Sequence, residues 1–336
     1  MNKEDRKQMN AKKNTYRMIG TDKSNKTISV QQLFQYLSAS NLPVSNQFRK
    51  NYSLKQLTTV KTGGNAELFF APHSIMSLKT VFKYICENKI KYHVLGNGSN
   101  LLISDKGVDG VVISLKNLPR IFECKKDFVS VSANLKNKEF VKNLIQNGIS
   151  GLEFLNGIPG TVGGMLRMNA GAFDRSITEK VNAILFIDSN GEMQKFYAEQ
   201  YESDYRDLKL KNKDYVIISA EFQLEISSSK LVKQSCDEFM KMRNSKAIIH
   251  LPTFGSTFKN GENYFAGELI DKCDLKGYSI GQAQISEKHA NFIINSGNAK
   301  SIDIYHLMKY AQKKVAEKFG INLMSEVKLW GSFNDE

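Results

Sequence analysis

Long apolar runs are missing from this chain. No stretch of about 18 consecutive apolar residues occurs, so the sequence predicts no membrane-spanning helix and no membrane partner. The first residues are basic and polar, and the apolar segment of a secretory signal does not follow them. We therefore expect a cytoplasmic protein.

Metal-binding and redox motifs are missing as well. The chain has five histidines but no HxxxH pair, and its four cysteines are widely spaced. The cysteines are Cys86, Cys124, Cys236 and Cys273. This spacing excludes a zinc knuckle or a CxxC redox motif and is typical of reduced thiols in a cytoplasmic enzyme. We expect no metal site.

Acidic residues are fewer than basic ones, which leaves a formal net charge of +13. Such a balance occurs in nucleic-acid-binding proteins and in proteins that bind anionic substrates. Eight Lys/Arg against three Asp/Glu lie in the first 27 residues, so this polar extension supplies part of the excess. Basic runs interleaved with aromatics, the pattern of RNA-binding segments, do not occur. An anionic small molecule therefore fits the charge better than a nucleic acid does.

The 336 residues, 41% of them apolar, are enough for two or three compact domains. The composition of residues 1–45 predicts a polar extension, and the apolar residues of 29–38 recur at the spacing of a short helix. Alternating strands and helices follow, with a helix from Ile75 to Ile85 and a hairpin at 181–197. We expect one region at 46–226, split near residue 115, and a second at 227–336.

The last helix is well signalled by its ends. Ser301 is expected to cap its first turn and Gly320 to end it.

Three glycine-rich loops stand out. They comprise residues 61–65, residues 96–100, and residues 157–164 with the following stretch at 167–171. Glycine lets successive backbone N–H groups converge without obstruction, which is what a pyrophosphate needs. None of the loops has the GxGxxG or P-loop pattern, and each alone is typical of a tight turn. Together they predict a phosphate-bearing ligand.

A few polar residues are candidates for chemistry, each with a structural alternative. Ser256 follows a glycine and is typical of a turn, and without a GxSxG motif it is not an acyl-transfer nucleophile. Arg206 precedes a strand and fits a salt bridge, while His289 fits a structural role. Glu326 lies in a short apolar run, as the polar edge of a strand or as a buried acid. Composition and spacing thus lead to an α/β-type protein with a phosphate-bearing ligand.

Seven stretches, in the same order, resemble the UDP-N-acetylenolpyruvoylglucosamine reductase family. They are TTVKTGGNAELFFAP, LGNGSNLLISDKGVDGVVISL, GLEFLNGIPGTVGGMLRMNAGAF, SDYRDL, GSTFKN, LIDKCDLKGYSIGQAQISEKHANFIIN and SEVKLWG. The resemblance covers about residues 48–332. It implies an α+β fold class, with a two-part FAD-binding region of the vanillyl-alcohol-oxidase type at 46–226. A smaller α/β substrate-binding domain is implied at 227–336.

The resemblance gives the glycine loops a ligand. It implies non-covalent FAD, with the pyrophosphate held by backbone N–H groups of residues 96–100 and 160–164. The implied cofactor-binding residues are Gly63, Gly64, Gly96, Asn97, Gly98, Ser99, Asn100, Gly160, Thr161, Gly163, Gly164, Asn169, Ala170 and Gly171.

The family's reaction implies roles for the polar residues. NADPH is oxidised and UDP-N-acetylglucosamine enolpyruvate is reduced to UDP-N-acetylmuramate, in peptidoglycan precursor synthesis. Flavin N5 gives a hydride to the β-carbon of the enol ether, and the α-carbon takes a proton. Ser256 matches the proton donor, and Arg206 and Glu326 match the groups that stabilise the enolate. Glu326 must be protonated to donate, which implies a raised pKa.

Four further residues match positions that contact the UDP-sugar or order the site. They are Lys246, Asn260, Lys276 and His289.

The chain also departs from the family. Most relatives have a serine two residues after the motif arginine, where this chain has Leu208. The spacing from Arg206 to Ser256 is too short for the tyrosine loop that covers the substrate in one subtype, so we expect the loop-lacking, more open subtype.

Two alternatives stay open, and we expect a monomer in each reading. One is a flavin oxidase on the same scaffold, which often attaches its flavin through His or Cys. The other is a basic nucleic-acid-binding protein, whose binding would fall steeply with salt.

Overall fold

The computed structural model describes residues 45–125, 128–211, 214–244 and 251–333, together with Gln32, Leu33 and Gln35. The predicted helix at 29–38 lies mostly outside these residues, although Gln32, Leu33 and Gln35 are helical and Leu33 is buried. In the described part of the chain, no helix is both long enough and apolar enough to cross a membrane.

The first sheet combines parallel and antiparallel strands. Its elements are β1 (Phe48–Ser53), β2 (Asn65–Phe70), β3 (Tyr92–Leu95) and β5 (Val108–Ser114), in the order β1-β2-β5-β3. Strand β5 is parallel to both β2 and β3, and β1 is antiparallel to β2. Both faces of β2 are covered, because Leu68 and Phe70 lie in one core cluster and Phe69 in another. Near-continuous apolar runs are typical of such doubly covered strands.

Helix α1 (Ile75–Glu87) connects β2 to β3. Ser74 caps it by accepting from the backbone N–H of Ser77, and Leu78, Val81 and Ile85 are buried along one face. The predicted helix is thus confirmed. Strand β4 (Leu101–Ile103) lies between β3 and β5 in the chain and pairs elsewhere.

The second sheet is antiparallel. Its strands are β6 (Phe122–Lys125), β7 (Phe128–Ser132), β11 (Val181–Asp188), β12 (Met193–Tyr197) and β15 (Tyr215–Gln223), in the order β12-β11-β15-β7-β6. The predicted hairpin at 181–197 is β11–β12, and the carboxylate of Asp188 accepts from the N–H groups of Asn190 and Glu192 in its turn. Both sheets contribute to one buried cluster, the first core, which includes Ile113 and Phe222.

Short elements fill the connections of this sheet. They are α2 (Asn137–Gln146), β8 (Ile149–Ser150), α3 (Val162–Arg167), β9 (Gly171–Ala172), β10 (Arg175–Ser176), β13 (Tyr201–Asp204), β14 (Asp207–Leu210) and β16 (Glu225–Ile226).

Helix α4 (Ser229–Asn244) follows the polar stretch where we placed the second region's start. It packs against α2 and β8, and its Val232 and Cys236 are buried in the first core. This helix therefore packs with the preceding region, although the predicted boundary placed it in the second. The amphipathic pattern predicts which face of a helix is buried but not which region covers it.

The carboxyl-terminal part has its own antiparallel sheet. Its elements are β17 (Thr253–Ser256), α5 (Ala266–Asp271), β18 (Ser279–Ile280), β19 (Ala283–Ile285), β20 (Phe292–Asn295), α6 (Ser301–Phe319) and β21 (Lys328–Trp330). The sheet order is β17-β20-β19-β18, and α6 packs on it through buried Ile304, Leu307 and Val315. These side chains belong to the second core, which also contains Val60 and Leu102 from the first region.

The ends of α6 match the prediction only in part. Gly320 ends the helix at φ 68, as expected. Ser301 is its first residue rather than its cap, because Lys300 occupies the cap position. The Ser301 hydroxyl is buried and has no hydrogen-bond partner among the described residues. After α6 the chain returns to the first region, where β21 pairs with β4 in parallel.

Candidate active site

Two of the glycine loops face each other. The loop at 96–100 follows β3, and the Ser99 hydroxyl donates to the Pro159 carbonyl of the loop at 157–164 at 2.8 Å. A Cβ at position 96 would lie 2.8 Å from the Thr161 hydroxyl oxygen. Gly98 has φ +62, and a Cβ there would lie 2.1 Å from the Leu57 carbonyl oxygen. Glycine at position 96 therefore allows the two loops to approach closely, and glycine at position 98 allows the loop to approach the backbone at Leu57.

Backbone donors are available on both loops. Within the described residues, the N–H groups of residues 96–100, Gly160 and Thr161 donate to no protein acceptor. By contrast, Gly163 donates to the Ala133 carbonyl at 2.9 Å, and Gly164 faces the Thr161 hydroxyl at 3.4 Å. A Cβ at Gly163 would lie 2.8 Å from Cβ of Ala133, so this glycine serves packing. The N–H of Gly163 is therefore already engaged, while those of Gly160 and Thr161 have no acceptor among the described residues.

The first glycine loop has other neighbours. A Cβ at Gly63 would lie 2.9 Å from Cβ of Ile103, and one at Gly64 would lie 2.3 Å from the Asp105 carbonyl oxygen. Gly64 also donates to the Ser104 carbonyl. These glycines let the chain pack against the turn between β4 and β5, and their contacts do not join them to the loop at 96–100.

Asn169 links the glycine-rich loop at 157–171 to the β13–β14 hairpin. Its side-chain amide donates to the Asp204 carbonyl at 3.0 Å and accepts from the Thr178 hydroxyl at 2.7 Å. Ala170 packs at the edge of the first core. A Cβ at Gly171 would lie 2.2 Å from the Arg175 carbonyl, so the tight β9–β10 hairpin requires glycine there.

Arg206 occupies the turn between β13 and β14. Its φ of 59 is a left-handed conformation that non-glycine residues adopt at a cost of about 1–2 kcal/mol. Nε of Arg206 donates to Oε1 of Glu326 at 3.0 Å, and these side chains are only 21% and 14% exposed. The structure thus joins two of the three predicted catalytic residues.

Burial dominates the electrostatics of Glu326. Desolvation raises its pKa above the usual range, while Arg206, Lys259 and Lys328 act in the opposite direction. The net direction is upward, as the sequence analysis expected for an acid that donates a hydrogen bond.

Ser256 lies beside Glu326 at the end of β17. A bulge interrupts the pairing of β17 with β20 before Ser256, and Gly255 supplies the required φ of +84. Glu326 donates its backbone N–H to the carbonyl of Thr257, the residue after Ser256, at 2.9 Å. None of the hydrogen bonds among the described residues involves the Ser256 hydroxyl, and Ser256 is partly exposed.

The glycine loop at 96–100 reaches this cluster through Asn100. The Asn100 side chain donates to the Glu326 carbonyl at 3.1 Å, and the Asn100 carbonyl accepts from Lys328 N–H at 3.0 Å. Unused loop donors, the Arg206–Glu326 pair and Ser256 therefore adjoin one another.

Two cations near Arg206 were missed by the sequence analysis. The Lys259 ammonium donates to the Tyr205 carbonyl at 3.2 Å and lies over the Tyr205 ring. Arg243 donates to the carbonyls of Phe154 and Asn156, and burial together with Arg206 lowers its pKa. Arg243 is at the end of an amphipathic helix, where a solvated or capping arginine is expected. Only the tertiary fold reveals its proximity to Arg206.

The predicted substrate-binding residues are not all together. Asn260 is exposed, and its side-chain oxygen accepts from the Ala266 N–H at the start of α5. His289 accepts from the Asn291 N–H through Nδ1 and contacts the Phe292 ring. Lys276 pairs with Asp271 at 2.6 Å on an exposed turn, and none of its contacts joins it to the cluster. Lys246 lies outside the described residues.

Leu208 replaces a polar side chain with core packing. It is fully buried in the first core, on β14, which packs against α3. Its carbonyl accepts from Arg167, which also pairs with Asp207. Backbone and neighbouring charges therefore organise this strand without the family's serine.

Two family models match the chain. Residues 66–197 match a model described as FAD binding domain, and residues 247–330 match one described as UDP-N-acetylenolpyruvoylglucosamine reductase, C-terminal domain. The chain is therefore an FAD-dependent oxidoreductase with the predicted α+β fold class.

Individual proteins agree with these matches. The chain is 36% identical over 285 residues to the UDP-N-acetylenolpyruvoylglucosamine reductase of Clostridium novyi, covering 85% of this chain and 92% of the relative. It is 39% identical over 281 residues to that of Listeria welshimeri, covering 84% and 94%. The crystal structure of the Thermus caldophilus reductase matches with a TM-score of 0.73 and 29% identity, covering 84% of this chain and 98% of that one. The chain belongs to the UDP-N-acetylenolpyruvoylglucosamine reductase family.

The residues fit FAD on structural grounds. Unused N–H groups on two converging loops suit a diphosphate, and the glycines keep side chains out of the space between the loops. In the described ranges, no group of three or more His, Cys, Asp or Glu side chains is placed to hold a metal ion.

Proposed function

We propose that this protein reduces UDP-N-acetylglucosamine enolpyruvate to UDP-N-acetylmuramate with NADPH, as a step of peptidoglycan precursor synthesis. The proposal is supported above all by one connection. Asn100 of the glycine loop bonds Glu326, which pairs with Arg206 and bonds the residue after Ser256. When bound, FAD would supply the hydride transfer between NADPH and the enolpyruvyl carbon.

Arg206 and Glu326 stabilise the charge that develops on the substrate. Hydride addition to the β-carbon makes the α-carbon and its carboxylate enolate-like. The Arg206 guanidinium is positive, and protonated Glu326 can donate a hydrogen bond because its pKa is raised. Each well-placed donor of this kind contributes about 3–4 kcal/mol to transition-state stability.

Ser256 gives its hydroxyl proton to the α-carbon. A serine hydroxyl is a weak acid, so this role requires close placement and a charged neighbourhood. A bulge precedes Ser256, and none of the hydrogen bonds among the described residues involves its hydroxyl, so no protein acceptor competes for the proton.

The nucleotide half of the substrate is anionic and fits the cations around the site. Lys259 and Arg243 lie near Arg206, and the exposed amide of Asn260 follows on the same segment as Ser256. His289 orders the turn before β20, which pairs with β17. Lys246 and Lys276 remain predicted substrate contacts. The cytoplasmic location and the monomeric state also stay predictions.

The half-reactions test this function. Anaerobic flavin-loaded protein is expected to be reduced by NADPH and then reoxidised by the enolpyruvyl sugar nucleotide. If the substrate failed to reoxidise the wild-type protein, the reductase assignment would be wrong.

Substituting the proton donor tests the mechanism. Ser256→Ala is expected to leave reduction by NADPH near the wild-type rate and to slow reoxidation by about 100-fold or more, since general-acid catalysis typically contributes 10²–10⁴-fold. Ser279→Ala, at an exposed serine of β18, is the matched control. A Ser256→Ala protein that is slow with NADPH but normal with the substrate would contradict the role.

A further inference from the structure

Thr59 lies where the first region meets the strand of Ser256. Its backbone N–H donates to the Gly98 carbonyl of the glycine loop at 3.1 Å. Its hydroxyl donates to the Thr253 carbonyl, at the start of β17, at 2.7 Å. One residue thus contacts both the candidate cofactor loop and the strand that ends at Ser256.

The next residue fixes the same segment in the second core. Val60 is fully buried there, and its carbonyl accepts from the Asn295 side chain at 2.9 Å. Asn295 belongs to β20, the strand that pairs with β17. The segment therefore holds both strands.

Strand β17 is held by β20 at Thr253 and at Ser256, and it is less supported between these two residues. Its pairing with β20 is broken by a bulge between Thr253 and Ser256, and a Cβ on Gly255 would have no atom within 4 Å. A shift at Thr253 is therefore expected to reach Ser256. Such misplacement matters, because about 1 Å can change a rate by about 100-fold.

We propose that Thr59 is a positioning residue, whose hydroxyl sets the strand of Ser256 at the correct distance from the glycine loop. The proposal rests on the proposed function, since it assigns Thr59 to the step that uses Ser256. The hydroxyl also lies 3.5 Å from the Gly98 carbonyl, which the backbone N–H of Thr59 engages more closely, at 3.1 Å. That backbone bond does not need the hydroxyl, so the glycine loop keeps it when the hydroxyl is removed.

Thr59→Val tests this role, because valine keeps the shape and removes the hydroxyl. We expect reoxidation by the enolpyruvyl sugar nucleotide to slow by about 10-fold or more, with reduction by NADPH changed by less than about 3-fold. Thr59→Ser keeps a hydroxyl and is expected to restore reoxidation to within about 3-fold of wild type. Thr80→Val is the matched control, since Thr80 is exposed and its hydroxyl donates to the Met76 carbonyl within the same helix α1.

Hydrogen exchange of the flavin-loaded protein gives a second readout that does not depend on turnover. In Thr59→Val, the amides of residues 253–257 are expected to exchange faster, while those of residues 96–100 do not change. FAD affinity should stay within about 2-fold of wild type.

The outcomes separate the two proposals. If wild-type protein is not reoxidised by the substrate, the proposed function fails. If wild type is reoxidised and Thr59→Val matches Thr80→Val in both rate and exchange, only the role of Thr59 fails. Equal slowing of both half-reactions, or a Thr59→Ser protein as slow as Thr59→Val, would also overturn it. Should Thr59→Val not fold, Thr59→Ala gives the same comparison.

Discussion

The carboxyl group of Glu326 experiences opposing influences at the residue scale. Burial favours the neutral acid, while Arg206, Lys259 and Lys328 favour the carboxylate. Burial has the larger effect, so the pKa is raised and the neutral acid persists to higher pH than for an exposed glutamate. A neutral Glu326 accepts from Arg206 and still has a proton to donate.

This balance predicts the pH dependence of the second half-reaction. If the active form is protonated, the rate of reoxidation by the substrate falls as pH rises through the raised pKa of Glu326. Glu326→Gln keeps a hydrogen-bond donor and does not titrate. Its reoxidation rate is therefore expected to be lower than that of wild type but not to fall with rising pH. Stopped-flow reoxidation measured from about pH 5 to pH 9 on both proteins compares these pH dependences.

Stability follows the same sign. The folded pKa exceeds the unfolded one, so the contribution of Glu326 is fully present below the unfolded pKa and is lost as pH rises through the folded pKa. As pH rises, the free energy of unfolding measured in urea should therefore increase for Glu326→Gln relative to wild type. If the fall in reoxidation rate with rising pH persisted in Glu326→Gln, the titrating group would be a different one.

At the scale of elements, the turn between β13 and β14 holds Arg206 through contacts from three directions. Asn169 bonds Asp204, Lys259 bonds Tyr205, and Arg167 bonds the Leu208 carbonyl. Leu208 anchors this hairpin in the first core, close to its turn. These contacts explain how the left-handed Arg206 is maintained.

Leu208→Ser, which introduces the residue that the resemblance predicts at this position, is expected to destabilise this chain. Leu208 is fully buried, so the change removes apolar packing and buries a hydroxyl. We expect the free energy of unfolding to fall by about 3–5 kcal/mol. Leu231→Ser is the control, because Leu231 is 59% exposed and its loss should cost about 0.5 kcal/mol or less. Urea unfolding measures both, and equal values would mean that Leu208 contributes no core packing.

Local sequence patterns predicted the helices and strands better than the tertiary contacts that these elements make. The apolar spacing of α1 and the SNG turn of the β11–β12 hairpin are local signals, and both elements are present. The placement of α4, the proximity of Arg243 to Arg206 and the packing role of Gly163 depend on contacts distant in sequence. The roles of Ser256 and Glu326 came from family resemblance, because a serine after a glycine and a lone acid are not distinctive alone.

At the scale of the whole molecule, the described parts of the two regions are linked at several points. Val60 and Leu102 enter the second core from the first region, and β21 returns from the second region to pair with β4. The candidate site lies along these links, where Thr59, Asn100 and Glu326 connect the two regions. We therefore expect the relative position of the regions to affect the chemistry more than the binding of FAD.

The glycine loops also predict how the cofactor is held. Neither residues 96–100 nor residues 157–171 include a His or Cys that could attach a flavin covalently. Backbone N–H groups bind a diphosphate only while the fold keeps the loops together, so unfolding should release FAD completely. Acid precipitation followed by absorbance of the supernatant at flavin wavelengths measures this, with the intact holoprotein retained on a filter as the control. A yellow precipitate would instead indicate covalent attachment and favour the oxidase alternative.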